Sequence, residues 1–426
     1  MTPENAQNIW FQTCAEKVTA PPLSWDVSVD LVVIGGGYSG VAAALQAAQS
    51  GASVCLLEAQ EIGSGGSGRN VGLANAGLWL PSVEIRKHLG QSQGDRLVTL
   101  LAEAPSRVFD LVAQHDIQCE PVRQGTLHCA HSPKGFADLQ TRHRQLSQDG
   151  APVVLLDQAE ATRRTGSSAF HGALFDPRAG TIQPLGYVRG LARAAVAAGA
   201  QLHARTPALN IQHDGGVWQV ETAGGTVQAK ALIQATNAYH QDLSASAQRY
   251  VPVNYFQYAT APLAQGLRDT ILAGGEGCWD TGLIMTSFRM DQAGRLVIGA
   301  MGNLDHIASF AHKAWIKRKL TELFPALAGQ PLTAGWHGRI AMTSDRIPKI
   351  ISIGPNALAV FGYSGRGIGP GTVFGMGMAD SLLSGSPDPL PISAIPTHPE
   401  ALTGARQIFF ETGATLTHLV KSRGLI

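Results

Sequence analysis

Regular structure announces itself at Val29, where Leu31, Val32, Val33 and Ile34 complete an apolar, β-branched run of the length that suits a strand buried on both faces. Glycine follows at Gly35, Gly37 and Gly40. Residues 41–50 (VAAALQAAQS) are small nearly all round, so they predict a helix able to lie close on a sheet, and Gly51 closes it. The next apolar stretch, 52–57 (ASVCLL), reads as a second strand. Helical spacing returns over 83–118 and 133–148, with a strand predicted between them at 125–131 (GTLHCAH). A second small-residue helix is expected within 180–200, and strands at 201–205, 218–221, 226–229 and 231–235. From 252 to 302 the alternation is that of an antiparallel sheet; a helix over 314–323, a strand over 358–362 and an amphipathic closing helix over 400–426 complete the pattern. Residues 1–25 read as an irregular leader.

Strand, G-x-G-x-x-G, helix, strand and then Glu58 form one unit with a physical task for each part. The glycines allow a tight turn and close approach of the backbone to a pyrophosphate, the helix N-terminus attracts its charge, and Glu58 can accept from a ribose hydroxyl. The fold class is therefore α/β (α+β overall): a Rossmann-type dinucleotide domain with an antiparallel-sheet substrate domain, discontinuous in sequence. Residues 26–90, 150–240 and 345–426 are assigned to the first domain, and 91–149 and 241–344 to the second. The loop 61–81 (EIGSGGSGRNVGLANAGLWLP) is so rich in Gly, Ser and Asn that something other than regular structure must satisfy its backbone, and Arg69 within it can balance an anionic group. A second glycine-rich strand-to-helix junction, 362–371, offers further backbone amides.

Composition narrows the class. A 44% hydrophobic and 15% charged chain is that of a packed globular protein, and 32 basic against 31 acidic residues, net +1, make no strong field for nucleic acid or an anionic membrane. Five cysteines (Cys14, Cys55, Cys119, Cys129, Cys278) show no paired or zinc-like spacing, so reduced thiols in a cytoplasmic protein are expected. No signal peptide or membrane span is read. His128 and His131 lack a neighbouring ligand cluster, so no metal is expected.

IGGGYSG with Glu58, SGRN at 67–70, ATNAY at 235–239 and GYSGRG at 362–367 together resemble the D-amino-acid-oxidase-like superfamily of FAD enzymes, across the whole chain. The SGRN loop, the GTIQP segment and the closing helix look nearest to gamma-glutamylputrescine oxidoreductases and bacterial L-pipecolate oxidases. The resemblance implies non-covalent FAD, since the surroundings of Cys278 do not match those of a flavin-linked cysteine. It implies cofactor contacts from Gly35, Gly37, Tyr38, Ser39, Gly40, Glu58 and Ala59, from Ser67, Gly68, Arg69, Asn70 and Gly72, from Thr236, and from Gly362, Gly365, Arg366, Gly367 and Ile368. Arg69 and Arg289 are the expected catalytic-site cations, with Arg289 holding a substrate carboxylate, and Trp336 and Tyr258 are expected to wall the pocket. The implied reaction is oxidation of the C–N bond of a small amine or imino acid, a cyclic or N-alkyl amino acid such as L-pipecolate first and gamma-glutamylputrescine second, with O2 or another electron acceptor. A non-catalytic or tRNA-modifying flavoprotein is the distant alternative, and the oligomeric state is open.

Overall fold

The computed structural model describes residues 7–240, 249–306 and 308–420. Two eight-stranded sheets organise it. In the first, Val27–Ile34 lies at the centre, with Val54–Leu57 and then Gln201–His203 on one side and Thr226–Gln234 and then Ala357–Phe361 on the other, all parallel. Lys349–Gly354 adds an antiparallel edge, and the hairpin of Asn210–Asp214 and Val217–Glu221 pairs with the first half of Thr226–Gln234. That nine-residue strand is continuous where the sequence suggests two pieces, because the exposed Lys230 between them is an outward position paired with Asp30 at 2.8 Å. Helices Tyr38–Gln49, Gln91–Gln114, Pro184–Ala197 and Ile368–Ser384 cover one face, meeting Leu31, Val33, Val54 and Leu56 in the main core.

The second sheet runs in the order Leu332–Met342, Val251–Thr260, Leu296–Met301, Ser287–Met290, Gly277–Asp280, Thr126–Cys129, Ala173–Asp176, Val154–Leu156, antiparallel except for the pair Gly277–Asp280 and Thr126–Cys129. Its far face packs Phe256, Phe288 and Ile298 against Trp315 and Leu320 of the helix Ser309–Leu323. The closing helix, Thr403–Val420, is tied to that helix by a buried pair: His312 Nδ1 lies 2.7 Å from His418 Nδ1. The last six residues of the expected closing helix lie outside the described residues.

Three sequence expectations are corrected by pairing and packing. Val154–Leu156 and Ala173–Asp176, expected within the dinucleotide domain as part of 150–240, hydrogen-bond into the second sheet; short apolar strands carry no mark of which sheet they join. Gln91–Gln114, expected with the substrate domain, packs in the core of the first. The leader, of which 1–6 lie outside the described residues, contains a short helix, Ile9–Thr13, whose Ile9, Trp10 and Phe11 are buried.

Candidate active site

The turn after the first strand is shaped by close approach. Gly35 has φ +109°, and a Cβ there would lie 2.8 Å from the Ala235 carbonyl oxygen; at Gly40 a Cβ would come 1.9 Å from the Gly35 oxygen. Helix Tyr38–Gln49 can therefore start hard against the strand ends, with Gly37 at its N-cap and Ser67 Oγ accepting from the Tyr38 N–H at 2.9 Å. Glu58 reaches back across this turn: Oε2 accepts from the Gly36 N–H at 2.7 Å and Oε1 from that of Gln60 at 2.9 Å. Burial raises its carboxyl above the ordinary range, and those two donors work in the opposite direction.

A cavity of about 570 Å³ extends from Glu58 and Gly36 past the helix N-terminus to the near face of the second sheet. Of the expected cofactor residues, Gly35, Gly37, Tyr38, Ser39, Glu58, Ala59, Ser67, Arg69, Asn70, Thr236, Gly365, Gly367 and Ile368 line it. Gly40, Gly68, Gly72 and Gly362 do not, and each supports the wall from behind. A Cβ at Gly68 would sit 2.3 Å from the Gly63 oxygen, and one at Gly72 2.1 Å from that of Ile182, while the Gly362 N–H donates to Asn237 Oδ1 at 3.1 Å. Arg366 turns its side chain away, into a second cavity.

The SGRN loop is held as a rigid wall. Asn70 Nδ2 donates to the Tyr38 hydroxyl and to the carbonyls of Gly66 and Ser67, each at 3.0 Å, and its Oδ1 accepts from Gly72. Arg69 gives Nε to the Ser64 carbonyl at 2.7 Å and Nη1 to that of His337 at 3.1 Å. From behind, three side chains seize successive carbonyls: Asn8 Nδ2 takes Gly68 at 2.8 Å, the Trp336 indole takes Arg69 at 3.0 Å, and the Trp10 indole takes Asn70 at 2.9 Å. Trp10 and Trp336 meet edge to face at 5.7 Å. Trp336 thus acts behind the wall.

Arg289 does not line the cavity. It lies almost fully buried behind that loop, its guanidinium 5.1 Å over the Trp10 ring and 3.9 Å from Glu120. Burial pulls its guanidinium below the ordinary value while Glu120 opposes this. Tyr258 faces the opposite side of the sheet, in the core with Phe256. Strand alternation explains the error: Tyr255 and Gln257 occupy the cavity face of Val251–Thr260, one residue out of phase with Tyr258. Ser287, Met301 and Trp279 join them on this face, and Trp79 stands opposite in the 61–81 loop. Gln257 was the available signal, a polar side chain on an otherwise apolar strand face. The Tyr255 hydroxyl is fixed between Ser287 Oγ at 2.9 Å and the Gly299 carbonyl at 3.0 Å, and burial raises its phenol, keeping it protonated.

The donor set fits FAD. The helix N-terminus suits a pyrophosphate, Glu58 suits a ribose, and the backbone around Gly365 and Gly367, the loop at Arg69 and Asn70 and the second sheet enclose room for a ring system.

Comparison with known proteins agrees. The family model for DAO, FAD-dependent oxidoreductase, matches residues 30–381. A protein of Rhizobium meliloti described as probable oxidoreductase OrdL is 32% identical over 363 residues, covering 84% of each chain. Gamma-glutamylputrescine oxidoreductase of Escherichia coli is 29% identical over 351 residues, 81% of this chain and 82% of that one. Among solved structures, glycine oxidase from Geobacillus kaustophilus superposes with a TM-score of 0.70 at 22% identity, covering 84% of this chain and 95% of the other. L-proline dehydrogenase from P. horikoshii gives 0.67 at 20%, covering 86% and 95%. The chain belongs to the DAO family of FAD-dependent oxidoreductases.

Proposed function

We propose that this enzyme oxidises the C–N bond of a small amine to an imine, which water hydrolyses, with the electrons passing to O2 to give hydrogen peroxide or to another acceptor. FAD, held without a covalent link, supplies the hydride acceptor when bound. The reading rests on one observation above the rest: a single cavity joins the dinucleotide turn to a second-sheet wall of Tyr255, Gln257, Ser287 and Met301. Gln257 Oε1 is buried without a donor, so it can accept an amine N–H. Among the described lining residues Glu58 is the one acid, at the dinucleotide end, and none is a histidine. Among the described residues of the second-sheet wall none is a carboxylate or imidazole to serve as a general base, so the substrate enters as the neutral amine.

The second-sheet wall also bears on substrate size. A cyclic or N-alkyl amino acid such as L-pipecolate needs a cation beside the reacting carbon; Arg289, the expected clamp, lies elsewhere, and the cations on the cavity wall are Arg69, Arg339 and Arg346. An extended amine of the gamma-glutamylputrescine kind is favoured by the second cavity described below. The test is anaerobic mixing of the holoenzyme with L-pipecolate, L- and D-proline, sarcosine and gamma-glutamylputrescine while following flavin absorbance near roughly 450 nm, the band of the oxidised hydride acceptor. Bleaching by gamma-glutamylputrescine is expected. Bleaching by L-pipecolate alone returns the assignment to cyclic amino acids, and a flavin that none of them bleaches refutes the amine reading.

A further inference from the structure

A second cavity, of about 210 Å³, adjoins the first, and Asn75 and Trp279 line both. Arg366 reaches into it from the 362–367 turn. Its guanidinium lies 4.4 Å from the Trp79 ring centre and 5.2 Å from that of Trp279, and Nη1 donates to the Ala76 carbonyl at 2.8 Å. Its Nε has no partner, although the residue is only 8% exposed. Arg142 lines the same cavity and donates Nη2 to the Trp79 carbonyl. Among the described residues, no carboxylate lies within ion-pair distance of either arginine. Of the three acids on the cavity wall, Asp176 is engaged by Arg178 at 2.9 and 2.7 Å and Asp149 by Arg86 at 2.8 Å, while Glu103 is an exposed residue that makes no ion pair with either arginine. His128, stacked on Trp279 at 5.1 Å, adds a buried Nδ1 without a partner. Burial, with the nearby charge of Arg142, brings Arg366 down to about 9, which leaves it cationic at neutral pH.

Two cations withdrawn from water without a counter-ion are costly, and an anion supplied from outside removes that cost. The guanidinium fork matches a carboxylate geometrically, and Asn75 and Trp279, which line both cavities, border the passage between them. We propose that the second cavity is a carboxylate subsite: the amine substrate carries a carboxylate remote from its oxidised carbon, and that group lodges against Arg366 and Arg142. The proposal rests on the amine reading above and names the substrate class, an ω-amino compound with an anionic far end.

The experiment uses holoenzyme and two amides that differ by a carboxylate in place of a methyl group, N-glutarylputrescine and N-valerylputrescine, with L-pipecolate as a third substrate. The expected result is a kcat/KM about tenfold or more higher for the glutaryl amide, the scale of one charge-assisted contact. Arg142→Gln should erase that preference, lowering kcat/KM for the glutaryl amide about tenfold relative to the valeryl amide. Calorimetric titration with glutarate reads the subsite without turnover and should show saturable binding weakened about tenfold by Arg142→Gln. Equal kcat/KM for the two amides in wild type, or glutarate binding indifferent to the substitution, overturns the subsite and leaves the amine reading standing. If no amine bleaches the flavin, the amine reading fails, and the glutarate titration then decides the subsite by itself.

Discussion

Adding one methyl group at Gly40 tests the geometry of the cofactor turn directly. The new Cβ would stand 1.9 Å from the Gly35 oxygen, 3.1 Å from its carbonyl carbon and 3.2 Å from Val33 Cγ1. Two of these three atoms are backbone, so no flexible side chain can give way. Restoring ordinary contact requires the helix start to back away from the turn by about 1.5 Å, given the usual 3.5 Å or so between non-bonded heavy atoms. Overpacking of this kind costs about 1–3 kcal/mol of stability. The same displacement removes the amides from hydrogen-bonding reach of the pyrophosphate, and a charged hydrogen bond is worth about 1.5–3 kcal/mol, so Gly40→Ala should bind FAD about 10- to 100-fold more weakly. The assay is the ratio of flavin to protein absorbance after purification, FAD titration of the stripped protein, and thermal unfolding with and without added FAD. Gly413→Ala is the control: a Cβ there meets nothing within 4 Å in the closing helix, so it should gain up to about 1 kcal/mol and leave FAD binding alone. A Gly40→Ala protein with wild-type flavin content, affinity and melting temperature would refute the account of the turn.

Trp10→Phe keeps an aromatic ring but strips the Asn70 carbonyl of its donor; an unsatisfied buried group costs about 1–3 kcal/mol, so the melting temperature and flavin retention should both fall. Arg289→Met should change KM for any amine by less than about twofold, because the guanidinium lies behind the wall, and a tenfold rise would return Arg289 to the substrate site. Burial and the neighbouring His312 push His418 down to about 3. A lowered histidine pKa contributes stability that is present above the unfolded value of about 6.5 and is lost as pH falls below it, by about 1.4 kcal/mol per unit. Unfolding midpoints measured from pH 7.5 to 5.5, a range roughly centred on the unfolded histidine pKa, should therefore drop, and His418→Phe should flatten the drop. Without a base on the cavity wall, kcat/KM should rise with pH until the substrate amine is neutral, and a plateau set well below the amine's own pKa would reveal a base after all.

What the sequence discloses about the site depends on how local each relation is. Gly35, Gly37, Gly40 and Glu58 act within one β-α-β unit, so their spacing carries their geometry. Strand phase is harder: YFQY at 255–258 offers two alternations, and only the packing of Phe256 and Tyr258 beneath the helix Ser309–Leu323 selects the one that gives Tyr255 and Gln257 to the cavity. Trp10 could not be placed because its partners, Asn70 and Trp336, lie far along the chain and no motif marks Trp10 itself. Arg366 misleads for a different reason. The backbone of its motif lines the first cavity at Gly365 and Gly367, while its side chain leaves in the other direction.

The clamp on the SGRN loop fixes an order of events during synthesis. Asn8 and Trp10 emerge first from the ribosome, yet the loop they grip is completed from behind by Trp336, and the parallel sheet beneath the cofactor turn lacks a strand until Ala357–Phe361 has been made. The nascent chain therefore carries its fingerprint long before the residues that complete the surrounding site. The loop clamp and the parallel sheet of the cofactor site are thus complete only once residue 361 has been made.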